Sequence, residues 1–224
     1  MAYGLHWEWR GFGGLDAGSR RRIEDLPRLF PSDIEGVDSY YWYPGCDVNL
    51  KLRDWGRRAG VKLKRLRTVD DETGCQLWYE DEREDFPFPL QPAAVHRLAE
   101  ALGVDMSPPR RSIGRCTLLT LLQEARPDLV VVPVRKIRSI RRWGPEGREI
   151  LVEIAEISAP ERLTSVGMED RAGLTDSASA EEMAAAKADV LAAREALGLP
   201  GALTTVSYLA AVGTWAAGGT LLRP

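Results

Sequence analysis

The chain has 224 residues and a mass of 24.8 kDa, a length that suits one large domain over residues 1–224. Its 44% hydrophobic and 28% charged residues exclude a disordered or low-complexity chain. The formal net charge of −3 argues against a surface that is one electrostatic footprint for nucleic acid, and no apolar run approaches the roughly 18 residues of a membrane helix.

The opening Met1 to Glu8 has neither the basic nor the apolar region of an export signal, so a cytoplasmic protein is expected. Period-two alternation marks a first strand near 3–11, with Leu5, Trp7 and Trp9 on one face and His6, Glu8 and Arg10 on the other. The stretch from Gly13 to Ser32, with Arg20, Arg21 and Arg22, reads as a mobile loop. Gly13 to Ser19 imitates part of a phosphate-binding loop, but the Lys that such a loop needs before its Ser is absent. Strands are expected near 37–43, 47–54, 60–67 and 74–81. In the second of these Asn49, Lys51 and Arg53 alternate with Val48, Leu50 and Leu52, and in the third Lys62 and Lys64 alternate with Val61 and Leu63. Helices follow over Gln91 to Gly103, with Pro92 in its first turn and Gly103 at its end, and over Arg115 to Ala125. Strands near 129–142, 149–157 and 163–170 then carry Lys136, Arg138, Glu153 and Glu169. Ala180 to Leu197 is an Ala-rich helix with acids in its first turn and Gly198 and Pro200 just after it, and a short last helix runs from Ser207 to about Ala216.

The charge is laid out in blocks. Eight basic residues stand between Lys51 and Arg67 against one acid, Asp54, and a second basic run spans Arg135 to Arg142. Acids gather at Glu80 to Asp85 and from Glu149 through Glu182, so the blocks must be matched in space. An antiparallel sheet with one wet face accounts for the alternation, and so does a sheet closed into a barrel with a polar lumen.

Other chemistries find little support. Cys46, Cys75 and Cys116 are odd in number and lack paired spacing, which suggests neither a disulfide framework nor a metal knuckle. His6 and His96 are the only histidines, which argues against a zinc hydrolase. There is no GxGxxG, GxSxG or HExxH. Trp7 and Trp9 are expected in a core under flanking helices, and Trp42, Trp55, Trp78, Trp143 and Trp215 in packing rather than stacked on a ligand.

Several segments, in order, match a known pattern. His6-Trp7-Glu8-Trp9-Arg10 is similar to an opening ExExK strand, with His6 in place of the first carboxylate. Asp38-Ser39-Tyr40-Tyr41, Asn49-Leu50-Lys51-Leu52-Arg53 and Val61-Lys62-Leu63-Lys64 follow as the Tyr-containing and basic strands. Lys136-Ile137-Arg138, Val152-Glu153-Ile154-Ala155-Glu156 and Ser165-Val166-Gly167-Met168-Glu169 stand where a KxR, an ExE and a late acidic strand belong. Leu197-Gly198-Leu199-Pro200 and Ser207-Tyr208-Leu209 complete the series. Across nearly its whole length the chain thus resembles the CYTH, or triphosphate tunnel metalloenzyme, superfamily.

The resemblance implies an α+β protein: a closed antiparallel β-barrel of about eight strands around a polar tunnel, with flanking helices. It implies that Arg10, Lys51, Arg53, Lys62, Lys64, Lys136 and Arg138 face the lumen and grip a triphosphate or another polyanionic small molecule. Arg suits bidentate clamping of phosphate and Lys acts as a point charge. It further implies Mg²⁺ or Mn²⁺ held by Glu8, Glu153 and Glu169, and metal-dependent hydrolysis of inorganic, nucleoside or organic triphosphates by a water, with no covalent nucleophile. Membrane and nucleic-acid partners are not expected, and a homodimer is compatible. Two departures deplete the carboxylate set, His6 and Ala155, and Glu156 has the wrong parity to replace Ala155 without a bulge. They favour the alternative reading, a non-catalytic phosphate- or anion-binding module.

Overall fold

The computed structural model describes residues 4–53, 60–81, 85–146, 148–171, 173–199, 201 and 203–222. Trp55, Arg57 and Arg58, in the first basic run, and Pro200 lie outside the described residues.

The alternation that begins at Leu5 produces a strand, Gly4–Gly13 (β1), that is buried on both faces. Trp7 and Trp9 pack outward in an apolar core, while Glu8 and Arg10 line an internal cavity. Burial on both faces is what a strand meets when it separates a lumen from a layer of helices. The remaining strands are Ile34–Trp42 (β2), Val48–Arg53 (β3), Gly60–Val69 (β4), Gln76–Glu80 (β5), Asp85–Pro87 (β6), Val130–Trp143 (β7), Ile150–Ala159 (β8), Leu163–Asp170 (β9) and Thr204–Thr205 (β10). Eight of them form a closed antiparallel barrel in the order β1, β5, β4, β3, β2, β7, β8, β9, with β9 paired back onto β1 from Glu8↔Glu169 to Gly13↔Thr164. Closure leaves no open sheet edge in the ring. The short strands β6 and β10 are additions, on β4 and β1 respectively.

Helices Ala17–Glu24 (α1), Pro92–Leu102 (α2), Arg115–Ala125 (α3), Ala180–Ala196 (α4) and Tyr208–Ala216 (α5) surround the barrel. Leu98 and Leu102 of α2 and Leu118 and Leu122 of α3 cover the outward face of β3 and β4 through Leu50, Leu52, Val61 and Leu63. Helix α4 covers β1, β8 and β9 through Ala186, Val190 and Ala193. Helix α5 closes one end of the barrel, where Tyr208, Val212 and Trp215 meet Phe12, Tyr40, Val134, Ile157 and Leu163. The observed ends of the expected elements differ from the sequence reading by a few residues. The expected mobile loop from Gly13 to Ser32 is a correction, because it contains α1. Asp16 caps that helix by accepting from the Ser19 N–H at 2.9 Å, and the Ser19 hydroxyl donates to Gly198 O at 2.9 Å. No helix among the described residues is long and apolar enough to cross a membrane.

Candidate functional site

The barrel interior holds a cavity of about 460 Å³, within the usual size of small-molecule sites. All seven cations read from the sequence, Arg10, Lys51, Arg53, Lys62, Lys64, Lys136 and Arg138, line it, as do Glu8, Glu153 and Glu169. Register explains the convergence, since residues opposite one another in an antiparallel pair share a face. Lys51 stands opposite Tyr40 on β2 and Lys62 on β4; Asn49 stands opposite Lys64. Arg10 is opposite Gly167, and Gly167 is also opposite Glu153.

Two ionic clusters divide the wall. In the first, Arg10 donates from Nε to Glu8 Oε1 at 2.8 Å and from Nη1 to Glu153 Oε1 at 3.2 Å and Ser165 Oγ at 3.1 Å. Arg138 Nη1 donates to the other oxygen of Glu153 at 2.9 Å. Burial alone would raise the Glu153 carboxyl, but Lys136, Arg138, Arg10 and Lys51 outweigh it and hold the group well below its ordinary range. In the second cluster, Lys64 Nζ lies 3.0 Å from Glu80, 3.1 Å from Glu169 and 3.8 Å from Glu8. It also lies 3.2 Å from His6 Nε2, which must accept because an ammonium carries only donors. Burial works to lower the Lys64 ammonium, yet Glu169, Glu80 and Glu8 together raise it above its ordinary 10.5. Burial likewise works to raise Glu80, but Lys64 and Lys62 bring it down to about 2.

Two buried carboxylates in these networks escaped sequence reasoning as site residues. Asp38 sits opposite Arg53 and 3.1 Å from Lys136 Nζ, and Glu80 is ion-paired with both Lys62 and Lys64. Their signal was parity: Asp38 shares the face of Tyr40, and Glu80 the face of Gln76, which is paired with Glu8. Tyr208 also went unassigned, since nothing in a helix start says which lumen it will close. Its ring stacks on Tyr40 at 4.9 Å and lies 5.0 Å from the Arg10 guanidinium carbon and 4.9 Å from Lys136 Nζ. The expected tryptophans Trp42, Trp78, Trp143 and Trp215 belong to the apolar packing rather than to the cavity wall.

The lumen is left with unspent capacity for an anion. Eight cations, the seven above and Arg171, line the cavity, against six carboxylates that line it or pair with those cations, Glu8, Asp38, Glu80, Asp85, Glu153 and Glu169, which leaves an excess of two positive charges. Lys51 has no carboxylate within 4 Å among the described residues, and burial, together with Arg53, Lys136 and Lys62, holds its ammonium well below its ordinary 10.5. The Tyr208 hydroxyl and the Asn49 side-chain oxygen are buried and unpaired. Such groups are costly to leave unmatched and therefore point to a polar ligand.

The side chains near enough to one another to hold a divalent ion together include Glu8 and Glu169 of the three carboxylates expected for it. One ligand atom from each of His6, Glu8 and Glu169 lies within 4.8 Å of the others, whereas Glu153 stands apart with Arg10 and Arg138. One imidazole and two carboxylates suit Mn²⁺ better than Mg²⁺, which prefers oxygen alone. The Lys64 ammonium is within 4 Å of all three, so it must withdraw before a cation enters. Ala155 is fully buried opposite Ser165 and adds no ligand, and Glu156 faces outward to Arg20 at 2.6 Å.

No family model matches the chain, and neither does any curated protein. Among solved structures, the fold is similar to a conserved hypothetical protein from Pyrococcus furiosus, with 15% identity, a TM-score of 0.50, and coverage of 91% of this chain and 98% of that one. Two others are more distant. A protein from Pyrococcus horikoshii has 14% identity, a TM-score of 0.44 and coverage of 87% and 92%. A protein from Bacillus halodurans, proposed to be an adenylate cyclase, has 10% identity, a TM-score of 0.42 and coverage of 88% and 92%. At these identities the likeness concerns fold alone, and it rests on the first structure.

Proposed function

We propose that the chain is a divergent triphosphate-tunnel protein that binds a phosphate polyanion in its barrel and hydrolyses a phosphoanhydride bond with the help of a divalent ion. The observation that carries this reading is the excess of two positive charges in a lumen whose every carboxylate is already paired. A triphosphate brings roughly four negative charges at neutral pH; the excess meets part of them, and cations drawn from their carboxylates meet the rest.

Binding is then an exchange of partners. Phosphate oxygens take the guanidinium of Arg10 or Arg138 and the ammonium groups of Lys51, Lys62 and Lys136, bonds made in a poorly screened site. Drawing Lys64 onto phosphate frees His6, Glu8 and Glu169, which would hold Mn²⁺ or Mg²⁺. Such an ion, when bound, polarises phosphate oxygens and favours attack by water. Tyr208 donates its unpaired hydroxyl to a phosphate oxygen at the closed end of the tunnel, and α5 keeps bulk water from entering there.

The position of Lys64 favours a second reading. A fixed ammonium among three metal-ligand candidates is what a tunnel that binds anions without turnover would carry. Phosphate release from tripolyphosphate and ATP, with Mg²⁺ and with Mn²⁺, separates the two. Turnover that requires metal and is lost in Glu8→Gln supports the hydrolase, whereas calorimetric binding without turnover supports the binding module. Neither binding nor turnover removes both.

A further inference from the structure

The middle of the cavity wall is charged, but part of its lining is hydrocarbon. Leu29 and Phe30 from the segment after α1, Ile34 on β2, Ile140 on β7 and Leu151 on β8 all line it. None of the five belongs to the three apolar cores, and Phe30 is 40% exposed. Strand parity places them beside the ions. Ile140 lies two residues beyond Arg138, Ile34 is opposite Arg138, and Leu151 lies two residues before Glu153 and opposite Glu169. Two residues along a strand is roughly 7 Å, so on β2, β7 and β8 a stretch of hydrocarbon follows directly on the charged residues.

The segment that carries Leu29 and Phe30 is held in place. The Leu29 N–H donates to Ile140 O at 2.9 Å and the Arg142 N–H to Pro27 O at 2.9 Å. The buried Arg141 guanidinium donates to Leu26 O at 2.9 Å and also to the Glu24 carbonyl. A half-exposed apolar surface fixed beside a cationic cavity marks a binding surface. An inorganic polyphosphate has nothing with which to cover it.

We infer that the ligand is an organic phosphate ester, with its phosphates among Arg10, Lys51, Lys136 and Arg138 and an uncharged hydrocarbon group against Phe30, Ile34, Ile140 and Leu151. This rests on the reading of the tunnel as a polyanion site and narrows it to amphiphilic esters. Polar wall and apolar rim together match the two ends of one molecule.

The test is calorimetric titration of the full chain with methyl triphosphate and with n-octyl triphosphate, below the aggregation limit of the latter. The two share their charge and differ only in hydrocarbon. Each methylene buried is worth about fourfold in affinity, so an octyl ester that buries three of them binds roughly sixtyfold more tightly than the methyl ester. The ratio of the two affinities falls at least fivefold in Phe30→Ser and again in Ile140→Ser. Equal affinities overturn the inference while leaving the tunnel a phosphate site. A preference for octyl that both variants retain also overturns it, because the tail then binds elsewhere. If neither ester binds, the inference falls together with the polyanion reading.

Discussion

Gly167 gives Arg10 its place by having no side chain. A Cβ there would lie 2.6 Å from the guanidinium carbon of Arg10 and 2.9 Å from Nη1. The guanidinium is also held by Glu8, Glu153 and Ser165, so it cannot step aside without breaking the first ionic cluster. Gly167→Ala is therefore expected to keep the barrel folded and to weaken tripolyphosphate binding by roughly tenfold, the worth of one charge-assisted hydrogen bond; calorimetry beside a thermal melt checks it. Lys51 gives a pH prediction. Its ammonium sits well below its ordinary 10.5, chiefly because it is buried, so its share of anion affinity is lost as pH rises before an exposed lysine would lose its charge. Lys51→Arg stays charged, and its affinity-versus-pH profile should be flatter on the alkaline side; superimposable profiles would remove Lys51 from the site. The cations were legible in the sequence because period two fixes which face a residue takes. Asp38 and Glu80 carry the same parity signal, but a lone acid on a strand says nothing about the neighbour it will neutralise.

At the scale of elements, helix starts were readable where a cap and a register coincide. Ser179 and Glu182 form a reciprocal capping box ahead of α4, and Ser207 caps α5 through the Ala210 N–H at 2.9 Å. Helix α1 has a cap as well, Asp16, but it buries only one apolar side chain, Ile23. It is fixed instead by tertiary bonds, among them Arg22 Nε to Leu197 O at 3.0 Å, which periodicity cannot reveal. Helix α5 matters most to the site because it carries Tyr208. Glu161 ties it down by accepting from Trp215 Nε1 at 2.8 Å and from the N–H groups of Leu221 and Leu222 at 2.9 and 3.0 Å. Removing that acceptor leaves partly buried donors unmatched, at a cost of about 1–3 kcal/mol. Glu161→Ala is expected to speed amide hydrogen exchange in residues 208–216 and to lower ligand affinity, with exchange in α4 unchanged. Unchanged exchange in α5 would show that its apolar contacts alone hold the plug.

For the whole molecule, the closed ring is a balance of charge as well as of hydrogen bonds. The sequence announced alternating strands but not the order β1, β5, β4, β3, β2, β7, β8, β9 or the closing pair β9 to β1, because parity specifies a face and not a partner. The lumen carboxylates make closure sensitive to acid. Burial pushes Glu80, Glu153 and Glu169 upward, yet their cationic neighbours hold all three below their ordinary 4.5. Groups with a depressed folded pKa contribute stability that is present above the unfolded value and lost as pH falls through the folded one. Thermal stability should therefore stay level near neutrality and decline steeply from about pH 4.5 toward 2, the value to which Glu80 is lowered. In Glu80→Gln the decline should be shallower, and an equally steep one would place the acid sensitivity elsewhere.

The central claim is that the tunnel binds a polyanion through cations its own carboxylates leave in excess. Calorimetric titration of metal-free protein with tripolyphosphate, in parallel on the natural chain and on Lys51→Ala, tests it most directly. The account predicts a single site that loses at least roughly tenfold in affinity in the variant. Absence of binding to the natural chain, or equal binding by both proteins, would contradict it.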